Sequence, residues 1–143
     1  ALEGAELRRY RGGAYVAPAG PLPAPQRWQG EQTWPLPGLG TLHLHRETGR
    51  GLPASAFVAA RTTLDVRRGG ERLRLIAGGP TRSLKTLLQA RALPPWERER
   101  LPVLRLDGAV LWAAGFGVNA DWHVAADAPG WVPDWRPAGT DGT

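Results

Sequence analysis

The sequence predicts an α+β fold that is mainly β, a small β-sandwich or barrel-like sheet domain with one or two short helices. Glycine (19) and proline (14) make up almost a quarter of the 143 residues, which disfavours a helical bundle and favours short strands joined by turns. Several segments alternate apolar and polar residues with the two-residue period of a strand. Only one stretch combines a capping residue with helical spacing.

The composition excludes several classes of protein. The chain has no cysteine, so it offers no disulfide framework, no zinc–thiolate site and no thiol nucleophile. No apolar run approaches the roughly 18 to 20 residues of a membrane span, and the first ten residues lack the apolar segment of a signal peptide. We therefore expect a cytoplasmic protein with no membrane partner. Because the chain starts at Ala1 and contains no methionine, we also expect it to be a piece of a longer protein.

Glycine pairs and proline-rich stretches predict how the chain is divided into domains and linkers. Residues 7–17 contain two strand-like stretches around Gly12 and Gly13, which predicts a hairpin. Residues 18–25, PAGPLPAP, have four prolines in eight positions, which is typical of an extended linker, with a proline-docking motif as the alternative. We assign residues 1–25 to the end of a preceding domain and its linker, residues 26–125 to a β-rich domain, and residues 126–143 to a partly disordered tail whose tryptophans, Trp131 and Trp135, dock on the core.

Two strands are predicted from alternation alone. In the first, Leu42 and Leu44 face inward and His43 and His45 face outward. Paired strand histidines can bind zinc, but a site needs further ligands, and none is nearby in the sequence, so exposed histidines are the preferred interpretation. In the second, residues 61–67 alternate Thr62, Leu64 and Val66 with an outer, charged face formed by Thr63, Asp65 and Arg67.

The later segments add two helices and a hairpin. Ser83 is a good N-cap for a helix over residues 84–91, and Pro95 begins a second, short helix with Trp96 packed inward. Asp107 and Gly108 predict a tight hairpin turn. Phe116, Val118 and Trp122 are expected to close the core.

Positive charge is concentrated in one part of the chain. Residues 61–105 carry eleven Lys and Arg against four acids, whereas the whole chain has a net charge of +5. A polyanion is the expected partner of this segment. The residues that we expect to contact it are Arg67, Arg68, Arg72, Arg74, Arg82, Ser83, Lys85 and Arg91.

By itself the charge of this segment predicts only an acidic partner. The N-terminus of the predicted helix, with Arg82 and Lys85 alongside, has the geometry that holds a phosphate. Trp96 is the lone aromatic residue of the segment, which disfavours single-strand stacking. A capped surface helix with solvated charges is the alternative for residues 83–91. No residues suggest a catalytic site, and His123 near Asp121 is interpreted as structural.

Several ordered blocks of this region resemble one family. They are RRGGERLRL, RSLKTLLQ, PPWERERLPVL and a strand pair that ends in GFGV, where the family more usually has GLWV. Together they resemble the C-terminal domain of the tRNA(Ile)-lysidine synthetases, with strong similarity over about residues 61–124. RYRGGAYVAP and LPGLGTLHL extend the resemblance more weakly toward the N-terminus.

The resemblance implies a β-rich sandwich with a helix, related to a domain of phenylalanyl-tRNA synthetase, that holds the tRNA body toward the acceptor stem. The parent enzyme would be an ATP-dependent ligase that adenylates C2 of the wobble cytidine in the isoleucine tRNA with a CAU anticodon, after which lysine displaces AMP.

The family's adenylating motif, of the S-G-G-x-D-S type, does not occur in this chain. The resemblance therefore implies a non-catalytic chain without a cofactor of its own, whose partner is tRNA(Ile) and not DNA. ATP, Mg²⁺ and lysine would bind a catalytic domain that the chain lacks. The alternative is a protein-interaction or dimerisation module of an RNA-modifying enzyme, which would include a homodimer.

Overall fold

The computed structural model describes residues 5–10, 13–18 and 22–138. In this part the chain forms twelve strands, two α-helices and two short 3-10 turns. The strands are β1 (Ala5–Tyr10), β2 (Gly13–Pro18), β3 (Gln26–Arg27), β4 (Thr33–Leu36), β5 (Gly40–Thr48), β6 (Thr62–Val66), β7 (Arg72–Arg74), β8 (Thr81–Ser83), β9 (Pro102–Leu106), β10 (Ala109–Ala113), β11 (Gly117–Val118) and β12 (Pro129–Pro137). The helices are α1 (Leu84–Arg91) and α2 (Pro95–Glu99).

The N-terminal hairpin is confirmed in its strands. β1 and β2 pair antiparallel from Ala5 opposite Pro18 to Tyr10 opposite Gly13. Gly12, the other glycine predicted for the turn, lies outside the described residues, as does part of the predicted proline linker.

A five-stranded antiparallel sheet forms the centre of the domain, in the order β11-β10-β9-β6-β3. β9 and β10 are joined by the predicted tight turn, in which Asp107 (φ 49°) and Gly108 (φ 89°) both adopt the left-handed conformation. This conformation matches the right-handed twist of the flanking strands, which explains why Asp-Gly is favoured there.

The second sheet has the order β12-β5-β4, and its longest pairing is between β5 and β12. β12 lies within the segment that the sequence analysis assigned to the tail, so residues 129–137 are part of the sheet. Trp131 and Trp135 pack against the core, as expected. The partial disorder predicted for residues 126–143 is therefore wrong for residues 129–137, and residues 139–143 lie outside the described part.

Both faces of the five-stranded sheet are covered. One face packs on the three-stranded sheet around a core that includes Trp34, Leu42, Leu64 and Leu111. The opposite face packs on β7, β8 and α1 around Leu73, Leu84, Leu88, Val103 and Val110. Because neighbouring residues of a strand point to opposite faces, Val103 and Leu104 of β9 serve the two different cores. The domain therefore has three layers, and the sheets do not close into a barrel.

Most side-chain predictions are confirmed, with one correction. Leu42 and Leu44 are buried, and Thr62, Leu64 and Val66 are fully or almost fully buried. The outer face of β6 is not the expected charged surface, because Asp65 is only 5% exposed beneath arginine side chains. The position of the Trp96 side chain lies outside the described part. None of the described helices is long and apolar enough to cross a membrane.

Candidate nucleic-acid interface

Residues 72–91, comprising the β7–β8 hairpin and α1, form what we call the basic layer. Leu73, Leu84 and Leu88 anchor this layer in the second core. Its outer side carries Arg72, Arg82 and Lys85, which are exposed. Across the described residues, Arg82 and Lys85 have no ion-pair or hydrogen-bond partner, and Arg72 makes one long hydrogen bond of 3.4 Å to the carbonyl oxygen of Thr81. These three cations remain available to an external anion.

The start of α1 lies within the basic layer. Ser83 is the N-cap, and its Oγ accepts a hydrogen bond of 3.1 Å from the amide of Thr86. The amide of Leu84 donates to the carbonyl oxygen of Glu71, which ties the helix start to the preceding loop. The positive end of the helix therefore lies beside Arg82 and Lys85, and it increases the attraction of this surface for phosphate.

Next to the basic layer, four side chains form what we call the charge network: Asp65, Arg68, Glu71 and Arg105. Glu71 accepts hydrogen bonds from the amides of Arg68 (2.6 Å) and Gly69 (2.9 Å) and from the guanidinium of Arg105. Arg68 is paired with Asp65 at 2.8 Å, and Arg105 lies 3.6 Å from the same carboxylate. The network fixes the Arg-Gly-Gly loop between β6 and β7.

Glu71 is ionised despite its burial. Burial would raise the pKa of its carboxyl, but hydrogen bonds from the amides of Arg68, Glu71 and Gly69 and from Arg105 together hold that pKa below its usual value. The pKa of the Arg68 guanidinium is raised, chiefly by its hydrogen bonds to Asp65. Both groups therefore stay charged at neutral pH. Each is paired with an opposite charge, Arg68 with Asp65 and Glu71 with Arg105.

The predicted RNA-contacting residues thus fall into different environments. Arg68 belongs to the charge network, and the Nε of Arg74 lies 3.0 Å from Asp121 Oδ1. The guanidinium of Arg91 stacks over the Phe116 ring at 4.1 Å, and the Oγ of Ser83 serves the cap. Arg67 is half-buried. Arg72, Arg82 and Lys85 are exposed and have no acidic partner in the described part of the chain. Arg91 meets the same two criteria, but its guanidinium lies against the Phe116 ring.

The sequence analysis missed the roles of Arg105 and Glu71. Arg105 is 12% exposed and Glu71 4% exposed at the side chain, so both are structural. Their pairing joins two segments 34 residues apart, and nothing in the local pattern of either segment signals it. The excess of basic residues over acids in segment 61–105 gave no sign that two of its four acids, Asp65 and Glu71, are buried against arginines.

The histidines do not assemble a metal site. The Nε2 of His45 lies 3.3 Å from Asp134 Oδ2 on the surface of the three-stranded sheet. His123 accepts from the amide of Gly51 through Nε2 and contacts the carbonyl oxygen of Val124 through Nδ1, which is a structural role. Within residues 5–10, 13–18 and 22–138, no three potential ligands are grouped as a metal ion requires.

The fold and the site define a class: a small, open β-sandwich domain with one basic layer on its central sheet. The family model described as "TilS substrate C-terminal domain" matches residues 62–135. The chain therefore belongs to the family of TilS substrate C-terminal domains.

Two proteins that are similar to nearly the whole chain carry the same name. The chain is 36% identical to a tRNA(Ile)-lysidine synthase of Nitrosomonas europaea over 137 residues, which cover 93% of the chain and 30% of that protein. It is also 36% identical to the tRNA(Ile)-lysidine synthase of Ralstonia nicotianae, covering 99% of the chain and 33% of that protein. The chain spans about a third of the length of the curated relatives it matches.

A solved structure shares the fold. The crystal structure of a TILS C-terminal domain matches with a TM-score of 0.60 and 22% identity, covering 84% of this chain and 95% of that one. This likeness confirms the predicted fold class, a mainly β domain with short helices.

Proposed function

We propose that this chain is the tRNA-recognition region of a tRNA(Ile)-lysidine synthetase and that it performs no chemical step itself. Family membership supports the identity of the parent enzyme. The single observation that carries the binding role is the set of exposed cations on the basic layer, Arg72, Arg82 and Lys85, which have no acidic partner in the described residues.

The chemistry of these residues fits the backbone of an RNA stem. Lys and Arg that neutralise phosphates release condensed counterions, which gives affinity without base specificity. A-form stems present their phosphates and 2′-hydroxyls at the surface of a wide, shallow minor groove, and a basic layer on a sheet can lie against that surface. The domain would then set the position of the tRNA body.

The reaction itself belongs to the rest of the proposed parent enzyme. In this proposal the parent uses ATP and Mg²⁺ to adenylate the wobble cytidine of the isoleucine tRNA with a CAU anticodon, and lysine displaces AMP. The relatives are about three times as long as the chain, which leaves room for such a catalytic part. The same proposal places the protein in the cytoplasm.

Binding as a function of salt tests the proposal. We expect the chain to bind an unmodified tRNA(Ile) transcript with a dissociation constant in the micromolar range, and with an affinity that falls steeply between about 50 and 200 mM salt. Substituting both Arg82→Gln and Lys85→Gln should weaken binding by about 2 kcal/mol and reduce the salt slope by roughly 1.5. Fluorescence anisotropy of a labelled tRNA measures both quantities.

Arg136→Gln is the control, because Arg136 is also exposed but pairs with Asp134 on β12, in the three-stranded sheet. This variant should bind as the unchanged protein does. Absent binding, or binding that does not depend on salt, would overturn the proposal.

A second candidate is the protein-interaction or dimerisation module. The observation that favours it is a largely apolar groove of about 400 Å³ lined by Leu39, Leu93, Phe116 and Trp135, with Arg91 at its side. Light scattering over a concentration series tests self-association, and Trp135→Ser should reduce it. Deleting residues 126–143 is unsuitable because it removes β12 from the sheet.

A further inference from the structure

The tip of the β7–β8 hairpin exposes apolar surface. Ile76 is 73% exposed and Leu75 is 38% exposed, and Leu22 is the other exposed large apolar residue in the described part of the chain. A single exposed apolar residue needs no explanation, but two adjacent ones at the end of a projecting hairpin mark a contact surface.

The tip is held in shape by polar contacts. The Nη1 of Arg74 donates to the carbonyl oxygen of Gly79 at 2.6 Å, and the Nε of Arg74 pairs with Asp121. The amide of Gly79 donates to the carbonyl oxygen of Ile76, which closes a turn across the tip. Ile76 is therefore presented by a braced loop rather than by a segment free to fold back on the core.

Free positive charge lies beside this apolar surface. Leu75, Ile76 and Arg82 line the same shallow recess of about 150 Å³, together with Leu73, Pro80 and Leu87. Arg82 and Lys85 have no acidic partner in the described residues, and Lys85 lies in the first turn of the helix that follows. The surface thus combines an apolar tip with flanking cations, which complements a polyanion that has apolar faces of its own.

We propose that the hairpin tip packs against the ribose faces in the minor groove of an A-form RNA stem, while Arg82 and Lys85 contact the adjoining phosphates. This inference rests on the proposed function. The A-form minor groove is wide and shallow and displays sugar edges, so a blunt tip carrying Leu75 and Ile76 can reach them. The minor groove of B-form DNA is only about 6 Å wide, so the tip reaches less sugar surface there unless the duplex is deformed.

The role predicted for the tip is selectivity for RNA over DNA. The cations supply affinity to either duplex, since phosphates are common to both. The sugar edges are more accessible to Ile76 in the wide, shallow minor groove of the RNA stem than in the narrow minor groove of B-form DNA. An acidic protein surface would also bury Ile76, and it is the occupant indicated if Ile76→Ser leaves tRNA binding unchanged.

The test compares two variants on two duplexes. Ile76→Ser should weaken binding of the chain to the tRNA(Ile) transcript roughly five- to tenfold, because an exposed apolar side chain loses its contact area. The salt slope should stay unchanged, since no charge is removed. Affinity for a B-form DNA duplex of the acceptor-stem sequence should be the same as for the unchanged chain.

Two controls separate contact from folding. Leu22→Ser removes another exposed apolar side chain, away from the hairpin, and should leave tRNA binding unchanged. Ile76→Val keeps most of the apolar surface and should retain tRNA affinity within about twofold. Thermal melting should show the same unfolding temperature for all three variants.

The outcomes are distinct. If Ile76→Ser binds tRNA normally while the Arg82→Gln, Lys85→Gln double variant loses affinity, the inference is overturned and the proposed function stands. Equal losses on RNA and on DNA would also overturn the minor-groove assignment. If the unchanged chain fails to bind tRNA, the proposed function fails, and the inference fails with it.

Discussion

Arginine plays opposite roles in two neighbouring regions of the domain. In the charge network, Arg105 is 12% exposed and is surrounded by Asp65 and Glu71, which are more deeply buried still. In the basic layer, Arg82 is exposed and has no acidic partner in the described residues. The same residue type stabilises the fold in one region and offers charge to a ligand in the other.

The difference shows why a count of charges does not define a site. The excess of basic residues in segment 61–105 is correct as a total, but Arg68 and Arg105 are matched by buried acids. A buried ion pair contributes little net attraction for an external anion, because its field is already cancelled at short range. The surface left for RNA is therefore smaller than the segment, and it is centred on α1 and β8.

The largest expected effect is on stability, from Arg105→Met. Removing this guanidinium leaves Asp65 and Glu71 buried without their shared cation, which should lower the free energy of unfolding by about 3–5 kcal/mol. Urea denaturation followed by tryptophan fluorescence measures the change. Arg82→Met is the matched control and should change stability by no more than about 0.5 kcal/mol. Similar losses in the two variants would remove the distinction between the regions.

A smaller effect, dependent on pH, is expected from Glu71→Gln. The pKa of Glu71 in the folded protein lies below the usual value of 4.5, so its ionised form stabilises the fold at neutral pH. The substitution should cost about 2 kcal/mol at pH 7. The difference in free energy of unfolding between the variant and the unchanged protein should shrink as the pH falls below about 4.5. In that range the Glu71 carboxyl binds a proton more readily in the unfolded chain than in the folded protein.

The control for this pH dependence is Glu47→Gln, which removes a carboxylate from an exposed pair with Arg50. Its effect should stay within about 0.5 kcal/mol at every pH. Denaturation midpoints from pH 3 to pH 7 provide the comparison. A Glu71→Gln deficit that is constant over this range would contradict the assignment of an ionised, stabilising carboxylate.

The smallest expected effect on stability is at the N-terminus of α1, within the basic layer. Ser83→Ala removes the cap of α1 and leaves the amide of Thr86 without its partner, at an expected cost of about 1 kcal/mol. Ser55→Ala, at an exposed serine elsewhere, should be neutral. If Ser83→Ala weakens tRNA binding by more than its stability loss explains, the hydroxyl itself contacts RNA, as the sequence analysis predicted.

Elements defined by short-range chemistry were predictable from the sequence. Ser83 capping a helix with Leu84 and Leu88 on one face and the Asp107-Gly108 turn depend on residues within one or two turns of each other. The alternation of Leu42 and Leu44 with the histidines likewise fixed which face of β5 is buried. The sequence also showed that positive charge is concentrated in residues 61–105, and the sequence blocks of this region indicated the family.

Only the tertiary structure decided which of those charges are free. The pairing of Arg105 with Glu71 and the pairing of β12 with β5 join segments far apart in the chain, and neither has a local signal. The exposure of Ile76 depends on its place at the tip of the β7–β8 hairpin, which residue type alone does not reveal. Composition and periodicity report on neighbours along the chain, whereas neutralisation of a charge and exposure of a side chain depend on neighbours in space.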